Sequence, residues 1–255
     1  MKQIPNIFTL FNLVFGCIAI LLILDSSTAI VTLQQGDLLF RLPERMVHAS
    51  FFIFAAGLVD FLDGFLARAF KATSDMGKQL DSLSDVVTFG VAPSLLLYQL
   101  LRMSFLRDTG AINTSQLWLL PSLLLACCAA WRLAKFNIDT RQTTSFRGVP
   151  TPITGFVVAS FPLILWYGGE PITGVLLNPW VLYGITLVLS ALMVSDLPIL
   201  SLKIKDKSLR NNLPQLLLLG FALLLLLFFR WAALPLIYVS YVALSLLFRK
   251  QISST

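Results

Sequence analysis

Asp60-Phe61-Leu62-Asp63-Gly64-Phe65-Leu66-Ala67-Arg68, followed by Gly77-Lys78-Gln79-Leu80-Asp81-Ser82-Leu83-Ser84-Asp85, sets carboxylates at three- and four-residue spacing between long apolar runs. Residues three or four apart share one face of a helix. Asp60, Asp63, Gly64, Ala67 and Arg68 therefore line a stripe at the end of one helix. Gly77, Asp81 and Asp85 line another at the start of the next. The connection, about residues 70–76, is short, so the helices are expected to be antiparallel neighbours with facing acidic stripes. Of the 13 acidic residues, Asp60, Asp63, Asp75, Asp81 and Asp85 all fall in this window. The apolar flanks, 51–58 and 86–97, argue against a solvated loop of scattered charge. Carboxylates at bilayer depth are costly unless a cation sits among them.

Working outward, a mean hydropathy of +0.82 excludes an ordinary soluble domain. So do 57% hydrophobic and only 13% charged residues. Spans need about 20 apolar residues. Eight segments qualify, near 6–24, 46–69, 80–101, 116–136, 151–168, 179–197, 214–229 and 232–248. The expectation is an all-α integral membrane protein of about eight transmembrane helices. The last two spans form a tight hairpin around Arg230-Trp231. The first run is longer than a signal-peptide core and lacks a small-residue cleavage site, so it reads as a retained span.

The net charge of +6 does not point to nucleic acid, because the basic residues sit in short loops between apolar runs. With the amino terminus inside, only Arg41, Arg45, Arg102, Arg107 and Arg230 of the 19 basic residues fall outside. That bias predicts both termini in the cytoplasm and the acidic cluster at the cytoplasmic face of a bacterial-type inner membrane. Cys17, Cys127 and Cys128 lie in apolar runs without metal-ligand or disulfide spacing and read as buried small hydrophobes. His48 stands alone and is assigned no role.

Asp60, Asp63, Asp81 and Asp85 are hard oxygen donors suited to Mg²⁺ or Mn²⁺. Four carboxylates can serve two ions, an arrangement common in displacement at phosphorus. Gly64, Ala67 and Gly77 leave the same surface without bulk, open to a phosphate or a flat ligand. Gly57 and Gly90 read instead as close helix packing. Arg68 either binds phosphate or pairs with a neighbouring aspartate. Membrane carboxylates also form cation sites in transporters. A transporter predicts discontinuous helices and often a related second half, and the acidic pattern does not recur after residue 85.

Taken together, D-x-x-D-G-x-x-A-R-x8-G-x-x-x-D-x-x-x-D resembles the signature of the CDP-alcohol phosphotransferases, with every fixed position met from Asp60 to Asp85. The resemblance implies a six-helix membrane core, usually homodimeric. Such a core moves a phosphatidyl-type group from a CDP-linked donor to an alcohol and releases CMP. It implies that Asp60, Asp63, Asp81 and Asp85 hold metal and that Asp85 is the general base. It further implies that Asp63, Gly64, Ala67, Arg68 and Gly77 contact the CDP moiety.

Softer matches resemble the phosphatidylserine synthase branch of that family. They are Pro5-Asn6 with Thr9 and Asn12, then Arg132-Leu133-Ala134-Lys135-Phe136-Asn137. Further along come Phe146-Arg147-Gly148-Val149-Pro150-Thr151-Pro152 and Met193-Val194-Ser195 followed by Lys203. Lysine replaces the second arginine usual in the Arg132 element. This branch implies CDP-diacylglycerol and L-serine as substrates, with glycerol 3-phosphate or inositol phosphate as alternative acceptors. The serine carboxylate needs a cation, for which Arg132, Lys135, Arg141 and Arg147 are candidates. Each of these also reads as an orientation-setting or headgroup residue. Asn6 and Thr9 either support the ligand or cap the first helix. The shared core is expected over residues 1–212, with a separate hairpin and tail over 213–255.

Overall fold

A computed structural model describes residues 4–26, 31–34, 37–40, 42–69, 74–109, 115–138, 146–168, 170–200 and 212–249. The chain is a helical membrane protein. Helix α1 (Ile4–Asp25) is followed by a short ribbon of β1 (Val31–Gln34) and β2 (Asp37–Phe40), paired antiparallel. Helix α2 (Glu44–Ala69) precedes α3 (Asp75–Asp85), a π-helical turn at Val86–Val91, and α4 (Ala92–Thr109). Two 3₁₀ turns lead into α5 (Leu124–Ile138). Then come β3 (Phe146–Arg147), α6 (Thr151–Tyr167), α7 (Glu170–Leu176) and α8 (Pro179–Val194). The last described elements are β4 (Pro198–Ile199), α9 (Leu213–Phe229), a 3₁₀ turn at Arg230–Ala232, and α10 (Ala233–Leu247).

Among the described residues, five stretches are long and apolar enough to cross a bilayer: Asn6–Asp25, Glu44–Leu66, Asp75–Arg107, Gln116–Ile138 and Leu213–Leu247. Helices α6 and α8 are shorter apolar segments. The last stretch breaks at Arg230, whose φ of 49° stops α9 and starts the turn into α10. All eight expected spans therefore have a helical counterpart. Helix α7 is an addition that the hydropathy pattern does not foretell.

Burial separates centre from periphery. The α3–α4 rod and α6 form the middle, where Phe89, Leu96, Leu97, Leu100 and Leu163 are fully enclosed. Helices α1, α2, α5 and α8 pack around them, and α10 packs on α6. By contrast α9 exposes Leu219, Leu223, Leu227 and Phe228, an apolar surface that lipid solvates without penalty. Gly57 faces the Phe156 ring and Gly90 faces Ala129, so both glycines permit the close helix packing expected of them. The cysteines depart from expectation: Cys17 and Cys127 are exposed on the helix surface and Cys128 is only partly buried. Lipid accepts a thiol on a span's outer face, so apolar sequence context does not imply burial in protein.

His48 is exposed on α2, one turn from Glu44.

Candidate active site

Helix α2 carries Asp60 and Asp63 at its end, and α3 brings Asp81 and Asp85 back against them. Ser74 starts α3 as its N-cap, its hydroxyl accepting from the Gly77 amide at 3.0 Å. From there the four-residue rhythm sets Asp81 and Asp85 along one face. Carboxylate oxygens of Asp60, Asp63 and Asp81 lie within 4.8 Å of one another. Asp85 lies one turn further along α3, outside that group but within electrostatic reach of Asp60. The chain changes to a π-helical turn directly after Asp85. Such a turn inserts an extra residue and rotates the next helix about its axis, letting the polar face of α3 give way to the core face of α4.

Helix α1 holds this cluster from the third side. The Thr9 hydroxyl donates to Asp63 Oδ2 at 2.9 Å, and Asn12 Nδ2 donates to Asp85 Oδ1 at 3.3 Å. All four residues are buried, with Asn12 at 0% and Asp85 at 7% exposure, so water does not dilute these contacts. Two hydroxyls return the contact, Ser84 to the Thr9 carbonyl and Thr88 to the Asn12 carbonyl, each at 3.2 Å. Thr9 lies well inside α1, so the capping alternative does not hold for it. Asn6 lies in the first turns of α1, with its side-chain oxygen over Gly77, where an added Cβ would sit 3.0 Å away.

The donor set fits a hard divalent cation. It is all oxygen, partly withdrawn from solvent, and brings like charges closer than carboxylates tolerate without a counter-ion. Gly64 opens onto free space, with only an Arg68 nitrogen 3.8 Å from an added Cβ. Arg68 is exposed in the last turn of α2. Among the described residues no ion pair joins it to any of the four aspartates. Nothing is described of the Ala67 side chain.

The softer sequence elements at 132–137, 146–152 and 193–195 meet one another, while Lys203 lies outside the described residues. Arg132 of α5 is half-buried; its Nη1 donates to Thr151 Oγ1 at 3.2 Å, and its guanidinium lies within electrostatic reach of Asp85. Its Nε is buried without a protein partner. Lys135 is exposed and already paired with Asp196 at 2.8 Å. Gly148 has φ of +70° and packs against the carbonyls of Met193 and Ser195, a position no side chain fits. The Gly148 amide donates to Leu197 and that of Val149 to Leu192, joining the element at 146–152 to the end of α8. Of the remaining candidates, Arg141 lies outside the described residues, and Arg147 is described only as backbone in β3.

Sequence reading did not assign Asn12 to the site. The signal was present: Asn6, Thr9 and Asn12 recur every three residues, a polar stripe along an otherwise apolar span.

A family profile described as CDP-alcohol phosphatidyltransferase matches residues 2–195. A CDP-diacylglycerol–serine O-phosphatidyltransferase of Bacillus subtilis is 34% identical over 173 residues, which is 66% of this chain and 82% of that one. An archaetidylserine synthase of Methanothermobacter thermautotrophicus is 30% identical over 166 residues, covering 64% of this chain and 59% of its own. A CDP-diacylglycerol–serine O-phosphatidyltransferase of Helicobacter pylori is 39% identical over 116 residues, 45% of each chain. The chain thus spans less than two thirds of the length of the latter two relatives. The acidic stripes of α2 and α3, with the Thr9 and Asn12 contacts, lie inside the profiled region.

Proposed function

Since the chain belongs to the CDP-alcohol phosphatidyltransferase family, we propose that it transfers the phosphatidyl group of CDP-diacylglycerol to the hydroxyl of L-serine, giving phosphatidylserine and CMP. The observation that carries the reading is the pairing of two features at one place. A carboxylate cluster for divalent ions adjoins a half-buried arginine whose Nε is unclaimed. The names of the relatives from Bacillus and Helicobacter support the choice of acceptor.

Asp60, Asp63, Asp81 and Asp85 would hold the metal, Mg²⁺ or Mn²⁺ and in all two ions. Bound there, the ions would neutralise charge on the diphosphate and on the departing CMP. Gly64, Ala67, Arg68 and Gly77, with Asp63, take the CDP moiety, with open space beside Gly64. Asn6 supports it from α1. Asp85 accepts the proton of the serine hydroxyl as that oxygen attacks the phosphatidyl phosphorus. The phosphorus–oxygen bond to CMP breaks, and CMP leaves with the electron pair. Asn12 orients the Asp85 carboxylate, and Thr9 that of Asp63. Arg132 receives the serine carboxylate, with Arg141 and Arg147 as the further candidates read from the sequence. Lys135 is neutralised by Asp196, so α5 offers one unspent cation, which suits a carboxylate better than an added phosphate.

The same reading sets the site at the cytoplasmic face with both termini inside, as the distribution of basic residues indicates. It treats residues 1–212 as the catalytic core, 213–255 as an appended hairpin and tail, and the working unit as a homodimer. Acceptor competition tests it: purified protein with CDP-diacylglycerol is offered serine, glycerol 3-phosphate and inositol phosphate. Serine-dependent CMP release with the other two inert is expected. Preference for a phosphorylated acceptor overturns the serine assignment, and no CMP release with any alcohol favours cation transport.

A further inference from the structure

Helix α10 lies beyond residue 195, where the family match ends. Its buried face is nonetheless polar where it meets the acceptor side of the site. The Tyr241 hydroxyl donates to the Leu200 carbonyl at 3.0 Å, and the Leu200 amide donates to Ser245 Oγ at 3.1 Å. One residue's backbone is thus held at both of its polar groups by side chains one helical turn apart. Tyr241 and Leu200 are almost fully enclosed and Ser245 completely so. Leaving either Leu200 group unpaired would carry the full cost of a buried orphan.

Leu200 directly continues β4, which pairs with β3 in the register Phe146 to Ile199 and Arg147 to Pro198. Beyond β3, the Gly148 and Val149 amides return to Leu197 and Leu192, and Thr151 accepts from Arg132. Tyr241 also lies within electrostatic reach of the Arg132 guanidinium itself. Helix α10 therefore bears on the arginine side of the site through the ribbon, with Tyr241 near enough to act on the Arg132 charge. A helix serving only to anchor the chain in lipid needs no such hold on the ribbon.

We propose that Tyr241 and Ser245 are positioning residues: α10 clamps the β3–β4 ribbon and so holds Arg132 and Thr151 in the geometry that receives the acceptor. The effect on serine rests on the function proposed above, whereas the clamp itself does not.

Two measurements on the full-length protein in detergent or nanodiscs separate them. Hydrogen exchange compares Tyr241→Phe and Ser245→Ala with wild type at the amides of 146–149 and 197–200. Steady-state CMP release gives KM for serine and for CDP-diacylglycerol separately. The clamp predicts faster exchange confined to those amides. It also predicts a serine KM raised about fivefold in each variant, with the CDP-diacylglycerol KM unchanged and the melting temperature lowered by a few degrees, the cost of the orphaned Leu200 group. Ser245→Thr, which keeps the hydroxyl, should return both readouts to wild type. Unchanged exchange at the ribbon overturns the clamp whatever the acceptor is. Faster exchange with an unchanged serine KM, or with both KM values rising together, reduces α10 to a structural anchor and overturns the proposal. A wild-type protein that ignores serine overturns the acceptor assignment alone, and the exchange data then still decide the clamp.

Discussion

Asn12 and Asp85, 73 residues apart in sequence, meet through a 3.3 Å hydrogen bond from amide to carboxylate in the buried centre of the molecule. The bond fixes which way the Asp85 carboxylate faces, because an amide nitrogen can satisfy only the oxygen turned toward it. Asn12→Ala should leave the fold intact while turnover falls on the order of 100-fold, the scale of a reacting group displaced by about an ångström. Steady-state CMP release with CDP-diacylglycerol and serine reads the loss.

Asp85→Asn keeps the shape of the side chain and removes its basicity. Turnover should drop by roughly 10²–10⁴-fold, the usual worth of a positioned base, with melting temperature and detergent-phase monodispersity unchanged. Wild-type-like rates would remove Asp85 from the proton transfer.

Thr9→Val deletes the only described side-chain donor to the Asp63 carboxylate from α1. A hydrogen bond to a charged group is worth about 1.5–3 kcal/mol, and part of that holds a metal ligand in place. The Mn²⁺ concentration for half-maximal CMP release should rise roughly tenfold or more. The maximal rate at saturating metal should be largely retained.

Chelation with EDTA should abolish CMP release, and added Mg²⁺ or Mn²⁺ should restore it. Because an ion that binds only the folded state stabilises it by mass action, about 2.7 kcal/mol at a hundredfold excess over Kd, thermal unfolding should shift upward with metal. The shift should vanish in Asp81→Asn.

Gly148→Ala should destabilise the ribbon side selectively. The residue sits at φ of +70° against the Met193 and Ser195 carbonyls, so a methyl group meets both backbone strain and an oxygen wall. A lower melting temperature, with losses concentrated in amide protection near 146–149, is the expected outcome.

The acidic stripes were legible because helix periodicity fixes which residues share a face, and an intervening connection of a few residues leaves two helices little choice but to face each other. The eight spans were legible from hydropathy for a similar reason: lipid tolerates only long apolar helices with their backbones satisfied internally. What escaped was set by tertiary contact. Nothing local to Asn12 says that Asp85 lies opposite, and nothing near Leu200 says that Tyr241 will reach it. The π-helical turn after Asp85 differs from an α-helical turn by a single residue, which no propensity signals. The cysteines were misplaced because an apolar neighbourhood in a membrane chain describes lipid-facing and buried surfaces equally well.

The most direct test is a structure determined with Mn²⁺ and a CDP-linked lipid, using anomalous scattering to locate the metal. The proposed chemistry predicts Mn²⁺ density enclosed by Asp60, Asp63, Asp81 and Asp85, beside the diphosphate and on the Gly64 side of α2. Metal bound elsewhere, or a CDP group seated with these four carboxylates empty, would contradict it.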